Sequence, residues 1–484
     1  MINTRAGIIL WTSVAAACLS LMSYLIFNEK EDTLISIGFI LAAAIFIPLI
    51  ASNIYFSLKI LVFLAPLSLG YTIPGLGLKL SLPTEAITGI VAILFIVKVF
   101  SGMKWNKKII SHPISILLLL DMLWMLITVL MSDMTEVSLK RFVLKLAFLF
   151  VYFFMFANYF NKTKKHKLFY LLYILGAIIP ILSAIIEHSK TGFIQATSFY
   201  VSQPFYSDHT IYGGCLAFVI PFLIILTYKN WKEKKPEYYL LLIISGAFIV
   251  AQFLSYSRAS LLSLIIAGFF ALLIYLKVKL KSILFFLLIG IGLFLANFQN
   301  IYQTLRENEV KYDENVGTHL TSVTNLQNDA SNLERINRWV CAYRIFEDYP
   351  VFGIGPGTYQ FVYDKYQTPE FMTRISTHEG NRGNAHSEYL TYLSEQGIMG
   401  LFIYLAIILS VLHTSFKLLY KKNLPRQTKS ILLASLLGLI TFYIHGLFNT
   451  FSDYEKMSIL LYGSMGIIVS IDLATKQSNE EKAV

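Results

Sequence analysis

The chain has 484 residues, of which 56% are hydrophobic and only 14% are charged, whereas soluble domains contain about 45–50% apolar and about 25% charged residues. This composition excludes an ordinary soluble domain. The formal net charge of +11 comes from lysines in short clusters between apolar runs, which is typical of membrane topology signals rather than of a nucleic-acid-binding surface. The three cysteines are too few and too scattered for a disulfide framework or a metal site.

Apolar runs of about 17–25 residues, the length that crosses a hydrocarbon core of about 30 Å as a helix, recur along the chain. They predict an all-α, polytopic membrane protein with about 14 transmembrane helices. The second and third runs are nearly continuous, so the predicted number lies between 12 and 14. The predicted spans are 6–27, 33–52, 54–72, 82–100, 113–131, 142–160, 168–186, 211–228, 238–256, 259–276, 283–299, 397–416, 430–449 and 458–474.

Basic clusters between these runs predict the orientation of the chain. If the helices alternate, all five fall on one side of the membrane, which the positive-inside rule makes the cytoplasmic side. Both termini are then cytoplasmic, and the long stretch 300–396 lies outside. A loop of that length is expected to be functional and to contain helices of its own. The clusters are "KWNKK" (104–108), "KTKKHK" (162–167), "KNWKEKK" (229–235), "KVKLK" (277–281) and "KLLYKKNLPRQTK" (417–429).

Four regions follow from this predicted course of the chain through the membrane. Residues 1–299 form transmembrane helices 1–11, and residues 300–396 form a large extracytoplasmic catalytic loop. Residues 397–474 form helices 12–14, and residues 475–484 form a cytoplasmic tail.

Two arginines are predicted at the outer membrane edge. Arg258 lies in the tight hairpin "SYSR" (255–258), where a cation is costly unless it pairs or faces a polar cavity. Its planar guanidinium can bind a diphosphate through two parallel hydrogen bonds. Arg141, in "SLKRFVLK" (138–145), is predicted on the same side. The alternatives are snorkelling of Arg258 to the headgroups and interfacial anchoring by Arg141.

The stretch "NLERINRWVCAYRIFEDYP" (332–350) within the large loop predicts a helix ended by Pro350. Arg335 and Arg338 are three residues apart and share one face, where two cations suit an anionic ligand. A solvated face is the alternative. The predicted apolar face consists of Leu333, Ile336, Val340 and Tyr343.

Two further segments follow this helix. The glycines of "PVFGIGPGTYQF" (350–361) match neither the dinucleotide nor the P-loop pattern, so a turn is predicted. Asn384 is the predicted N-cap of the next helix, which places His386 in its first turn. A neutral imidazole there can act as a general base near neutral pH, although the residue pattern alone leaves this role open.

Several catalytic motifs do not occur in the sequence. There is no H-E-x-x-H, C-x-x-C, Asp-x-Asp or G-x-S-x-G pattern, so metal hydrolysis and serine acyl transfer lose support. His445 and Asp121 are polar residues within predicted spans, and we interpret both as packing contacts.

The arrangement resembles the O-antigen ligase and O-antigen polymerase superfamily, which comprises bacterial inner-membrane glycosyltransferases that use undecaprenyl-diphosphate-linked glycans. The resemblance covers roughly residues 200–465, and the predicted 14 spans exceed the dozen or so typical of ligases. The motifs that carry it are Arg335 followed by Trp339, Pro350, "GIGPG" (353–357), "AHSEYLTYLSEQGIMGL" (385–401), "SYSRASL" (255–261) around Arg258, and "DHTIYGGCLAFVIP" (208–221).

The resemblance implies a metal-independent glycosyltransferase without a cofactor. It would transfer a glycan from undecaprenyl diphosphate to an acceptor hydroxyl at the outer face of the inner membrane. Arg258 would stabilise the leaving diphosphate, helped by Arg141 and by Arg335 or Arg338, and His386 would remove the acceptor proton.

Three functions compete on this basis. Ligation to lipid A-core is favoured, and polymerisation with another lipid-linked glycan as the acceptor is the alternative. A lipid-linked oligosaccharide flippase is the rival from a different class, and the long outer loop argues against it. All three act on membrane lipid, and none involves nucleic acid.

Overall fold

The structure is a computed structural model that describes residues 54–73, 78–100, 106–297, 330–372 and 383–483, together with the single positions 102, 300, 303 and 376. This part of the chain is almost entirely helical. The longer helices are α1 (Ile54–Leu64), α2 (Thr84–Phe100), α3 (Pro113–Leu130), α4 (Thr135–Thr163), α5 (His166–Lys190), α6 (His209–Lys232), α7 (Glu237–Leu254), α8 (Arg258–Tyr275), α9 (Leu280–Ala296), α10 (Ala330–Asp348), α11 (Glu388–Leu419), α12 (Arg426–His445) and α13 (Glu455–Ala483).

Nine helices in the described part of the chain, α3–α8 and α11–α13, are long and apolar enough to cross a membrane. Three shorter apolar segments coincide with α1, α2 and α9. The prediction of an all-helical integral membrane protein is therefore confirmed. Predicted spans 6–27 and 33–52 lie outside the described residues, so the total of about 14 stays a prediction.

The predicted span 54–72 is wrong at its C-terminal end. Helix α1 stops at Leu64 and continues only as the 3₁₀ turn Ala65–Leu67, because Pro66 provides no N–H for an α-helical hydrogen bond. Two strands follow, β1 (Leu69–Ile73) and β2 (Leu78–Leu82), which pair antiparallel with Leu69 opposite Leu82. The sequence analysis did not predict this hairpin.

Helices α13 and α6 form the centre of the bundle. In the most apolar 18-residue stretch of α13, 94% of the residues are buried, and in that of α6, 83% are buried. Helix α13 packs against α4, α11 and α12, and α6 packs against α7, α8 and α12. In the corresponding stretches of α7 and α8, only 22% and 17% of the residues are buried. These two helices therefore present apolar side chains outwards, as lipid-facing helices do.

Several helix ends meet at one end of the bundle, here called the loop end. It contains the turns between α3 and α4, between α5 and α6, between α7 and α8, and between α12 and α13. The Tyr256 hydroxyl donates to the Phe193 carbonyl over 2.6 Å, and the Ser132 hydroxyl donates to the Ile354 carbonyl over 3.0 Å. Helix α10 packs on α11, which places α10 at this same end.

Candidate active site at the loop end

Helix α10 forms where the sequence predicted it, but with a different buried face. Leu333 and Ile336 are buried, whereas Tyr343 is 51% exposed, so the predicted apolar face is wrong at its C-terminal end. The buried side instead continues through Cys341, Ala342 and Ile345, because α10 packs against Tyr359 and Tyr363.

Arg338 is buried, and its guanidinium contacts other parts of the protein. Its Nε lies 3.0 Å from the Glu334 carboxylate, its Nη1 donates to the Asn384 carbonyl over 3.2 Å, and its Cζ lies 4.7 Å from the centre of the Tyr363 ring. A Cβ added to Gly383 would lie 2.1 Å from Nη1. Arg338 thus fixes the segment that leads to His386.

The backbone of His386 is held from two sides. Asn384 accepts from the His386 N–H through its side-chain oxygen over 2.9 Å, and the Trp339 indole donates to the His386 carbonyl over 3.3 Å. His386 has a φ of 47°, a left-handed conformation that is uncommon for residues other than glycine. Ser387, not Asn384, caps α11, so the predicted N-cap is wrong and His386 precedes the helix.

The imidazole of His386 is neutral in this environment. Burial and the nearby positive charges of Arg338 and Arg335 lower its pKa to about 4. A side-chain hydrogen bond with Asn449 and the negative charge of Asp208 act in the opposite direction. The ring is therefore an unprotonated base near neutral pH, and two cations oppose its protonation.

Arg258 and Arg335 lie within electrostatic range of each other, although 77 residues separate them in the sequence. Burial lowers the pKa of Arg335, the charge of Arg258 lowers it further, and Asp208 raises it. Arg335 also acts on His386. Arg335 is thus within electrostatic range of both another cation and a base, an arrangement that suits an anionic ligand.

Arg141 lies to one side of this group. Its guanidinium forms an ion pair with Asp453, and its side chain is 30% exposed. Arg141 and Asp208 both lie within electrostatic range of Tyr454. Arg141 thus belongs to the same end of the bundle, with Asp453 as its partner.

The glycine segment 353–357 is a turn, as predicted, and it docks on α11. Glu395 accepts from the backbone N–H groups of Gly357 over 2.8 Å and Tyr359 over 3.1 Å. At Gly353, where φ is 67°, an added Cβ would lie 2.3 Å from the backbone of Glu395. Glycines are needed here because the turn and the helix approach so closely.

Glu388 is an anchor within the protein. Its carboxylate is buried and accepts from the Phe451 and Ser452 N–H groups over 2.5 and 2.7 Å and from the Ser452 hydroxyl over 2.9 Å. The turn between α12 and α13, which carries Asn449 and Asp453, is thereby tied to the start of α11.

Sequence reasoning missed three residues of this group: Asn449, Asp208 and His209. Asp208 and His209 stand in the quoted "DHT" (208–210), and their polarity just before an apolar run was the available signal. No sequence signal identified Asn449, since only the fold brings it to His386.

The two intramembrane residues that were interpreted as packing contacts differ. Asp121 lies 3.0 Å from the Lys145 ammonium, so it has a specific partner. The ring of His445 is buried and lies edge-to-face with Phe451, and among the described residues neither of its ring nitrogens has a hydrogen-bond partner. The interpretation as a packing contact thus agrees with the buried ring of His445 but does not explain its two ring nitrogens.

Residues 240–405 match a family model described as O-antigen ligase. This segment is similar to the O-antigen ligase family. The match supports the resemblance to the superfamily that the motifs indicated. A comparison with curated proteins finds no match. The matched segment contains Arg258, Arg335, Arg338 and His386, whereas Arg141 lies outside it.

The match indicates a general class of chemistry. It supports glycosyl transfer of the ligase or polymerase type on lipid-linked glycans. The nine apolar helices of the described chain indicate an integral membrane protein, and the matched segment is glycosyltransferase-like.

Proposed function

We propose that the protein transfers a glycan from undecaprenyl diphosphate to an acceptor hydroxyl, with lipid A-core as the acceptor. The observation that carries this proposal is that Arg335 lies within electrostatic range of both Arg258 and the neutral His386, inside the segment that matches the O-antigen ligase family. We place this site on the periplasmic face of the inner membrane, in an extracytoplasmic loop of residues 300–396, with both termini in the cytoplasm, because the basic clusters favour that orientation.

In the proposed reaction, the bond between the anomeric carbon and the diphosphate oxygen breaks, and the acceptor oxygen bonds to that carbon. Negative charge grows on the departing diphosphate. Arg258 and Arg335 would stabilise that charge, which a preorganised pair of cations does without reorganising during the reaction. No sugar nucleotide or ATP is needed, because the diphosphate is already a leaving group.

His386 would accept the proton of the acceptor hydroxyl. Its unprotonated state at neutral pH follows from burial and from Arg335 and Arg338. A bound diphosphate would offset those positive charges and raise the pKa of the imidazole, so His386 would become a stronger base only when the donor is present.

Arg338 and Arg141 take different parts in this scheme. Arg338 is bonded to Glu334 and to the Asn384 carbonyl, which supports a positioning role behind His386. Arg141 is paired with Asp453, which supports a role at the edge of the site, where a diphosphate would have to compete with that carboxylate.

The test is product analysis with the full-length protein in lipid nanodiscs, supplied with undecaprenyl-diphosphate-linked glycan with and without lipid A-core. Release of free undecaprenyl diphosphate, with glycan on the lipid A-core, is the expected result. Lipid-linked ladders that grow without lipid A-core would show a polymerase instead. An intact donor under all conditions would overturn glycosyl transfer and favour the flippase.

His386→Ala tests the proposed base. We expect transfer to fall by at least about 100-fold, the usual range for a positioned general base, with no change in the unfolding temperature. The matched control is His413→Ala, which removes an exposed histidine of α11 and should leave the rate unchanged. Near-normal turnover of the His386 variant would remove this residue from the mechanism.

A further inference from the structure

His209, the first residue of α6, is bonded to the turn that carries Arg258. Its Nδ1 lies 2.7 Å from the Ser255 carbonyl oxygen. A carbonyl only accepts hydrogen bonds, so Nδ1 must carry the hydrogen, and in the neutral ring Nε2 carries a lone pair. This bond therefore fixes both the tautomer and the orientation of the imidazole.

The N–H groups of Ser255 and Tyr256 donate to the Ala251 and Phe253 carbonyls of α7 over 2.9 and 3.1 Å, whereas the Ser255 carbonyl is bonded to His209. Residues 255–257 separate α7 from α8, and Tyr256 has a φ of 50°. Ser255 stands at the end of α7, where carbonyl groups lack partners within the helix. His209 supplies a donor to one of them, from a helix that begins 46 residues earlier in the sequence.

His209 is packed against neighbouring side chains. It is 9% exposed, and the ring of Phe199 lies edge-on with its centre 4.5 Å away. At Gly213, one turn further along α6, an added Cβ would lie 2.8 Å from the Ser255 hydroxyl and 2.9 Å from the Ser257 Cβ. The first turns of α6 are thus pressed against the Arg258 turn, with His209 as the polar link.

We propose that His209 is a positioning residue, whose Nδ1–H bond to Ser255 sets the turn so that the Arg258 guanidinium meets the donor diphosphate together with Arg335. The identity of that ligand rests on the proposed function. The physical reason is that Arg258 follows Ser255 by three residues, so a shift of the turn displaces its guanidinium directly, and small displacements are costly in charge-stabilising sites.

Two substitutions separate this role from packing. In His209→Asn the amide nitrogen can occupy the position of Nδ1 and still donate to Ser255. In His209→Gln the amide reaches the position of Nε2 instead, which lies 3.9 Å from the Asp208 carboxylate. Both variants replace an aromatic ring by a primary amide, so each controls for the loss of the ring in the other.

The experiment uses the full-length protein in nanodiscs and undecaprenyl diphosphate as the probe. We expect His209→Gln to weaken binding by about tenfold, the factor that corresponds to the loss of one well-formed hydrogen bond, and His209→Asn to retain most of it. In an Arg258→Ala background, His209→Gln should cause no further loss, because it acts through Arg258.

Hydrogen exchange of residues 255–258 provides a readout that needs no ligand. Exchange in this turn should accelerate in His209→Gln and stay near the wild-type rate in His209→Asn. Equal exchange and equal binding in the two variants would overturn the positioning role, whether both lose binding or both retain it. If the wild type does not bind undecaprenyl diphosphate, the proposed function fails, and the exchange comparison still decides the role of His209.

Discussion

Trp339 connects the motif Arg335–Trp339 to the base. The two residues are four apart on α10, so they lie on the same side of the helix. Arg335 acts on the imidazole of His386 through its charge, and Trp339 holds the carbonyl of the same residue. The spacing in the sequence thus reflects two different contacts with one histidine.

Replacing Trp339 by Phe should lower the transfer rate by about tenfold, because it removes one hydrogen bond to a residue with left-handed backbone geometry. Most of the aromatic contact with Phe448, whose ring centre lies 6.2 Å away, would remain. Measurement of kcat and KM should show the loss mainly in kcat. A change in KM alone would contradict a role in holding His386.

The pKa of His386 predicts an unusual pH profile. The pKa of the His386 imidazole is lowered to about 4. Because kcat/KM reports groups of the free enzyme, it should stay constant down to about pH 5 and fall as the pH passes through about 4. The acid limb of kcat should lie at higher pH, since bound diphosphate favours the protonated ring. An acid limb of kcat/KM near 6.5, the ordinary histidine value, would contradict the electrostatic description.

At the scale of single elements, the kink in α11 bonds this helix both to the segment after α10 and to α3. Gly397 interrupts the helix with a φ of 67° and a ψ of −170°. The kink exposes backbone groups that find partners elsewhere. The Ile398 N–H donates to the Pro350 carbonyl over 3.0 Å, and the Gln396 carbonyl accepts from the Trp124 indole over 2.9 Å. The predicted span began at residue 397, which is the position of the kink.

Gly397→Ala should therefore be strongly destabilising. An added Cβ would lie 2.0 Å from the Val351 carbonyl oxygen, and the combination of φ and ψ at this position is essentially limited to glycine, which adds a cost of about 1–3 kcal/mol for an alanine. We expect a lower unfolding temperature and loss of transfer. The matched control is Gly246→Ala in α7, where an added Cβ meets nothing within 4 Å, and which should be neutral or stabilising. Equal effects of both changes would contradict this account.

At the scale of the whole molecule, a buried ion pair joins three helices. Lys145 of α4 lies 3.0 Å from Asp121 of α3, and its ammonium donates to the Tyr392 hydroxyl of α11 over 2.6 Å. Charges within a membrane span are expensive unless they pair. The pair thus specifies how α3, α4 and α11 pack beneath the loop end.

Lys145→Met should destabilise the protein by about 3–5 kcal/mol, because it leaves Asp121 buried without its counter-charge. The double variant Lys145→Met with Asp121→Asn should recover much of that loss, since neither charge remains. Thermal unfolding in detergent measures both. A double variant less stable than the sum of the two single variants would contradict the pairing.

The sequence by itself determined the helical membrane class, the nine apolar helices of the described chain and the resemblance to the O-antigen ligase family, because these depend on the length of apolar runs and on short local motifs. It also placed Arg258, Arg335, Arg338 and His386 among the candidates. Chemically suitable residue types in polar segments between apolar runs are visible without a fold.

Only the tertiary structure decided which residues meet. The pairing of Arg141 with Asp453, the bond of Arg338 to the Asn384 carbonyl, and the approach of Asn449 to His386 all join residues far apart in the chain, which short-range patterns do not encode. The physical reason is that a side chain's partner is set by how whole helices pack. Residues far apart in the chain become neighbours only when the bundle brings the ends of their helices together.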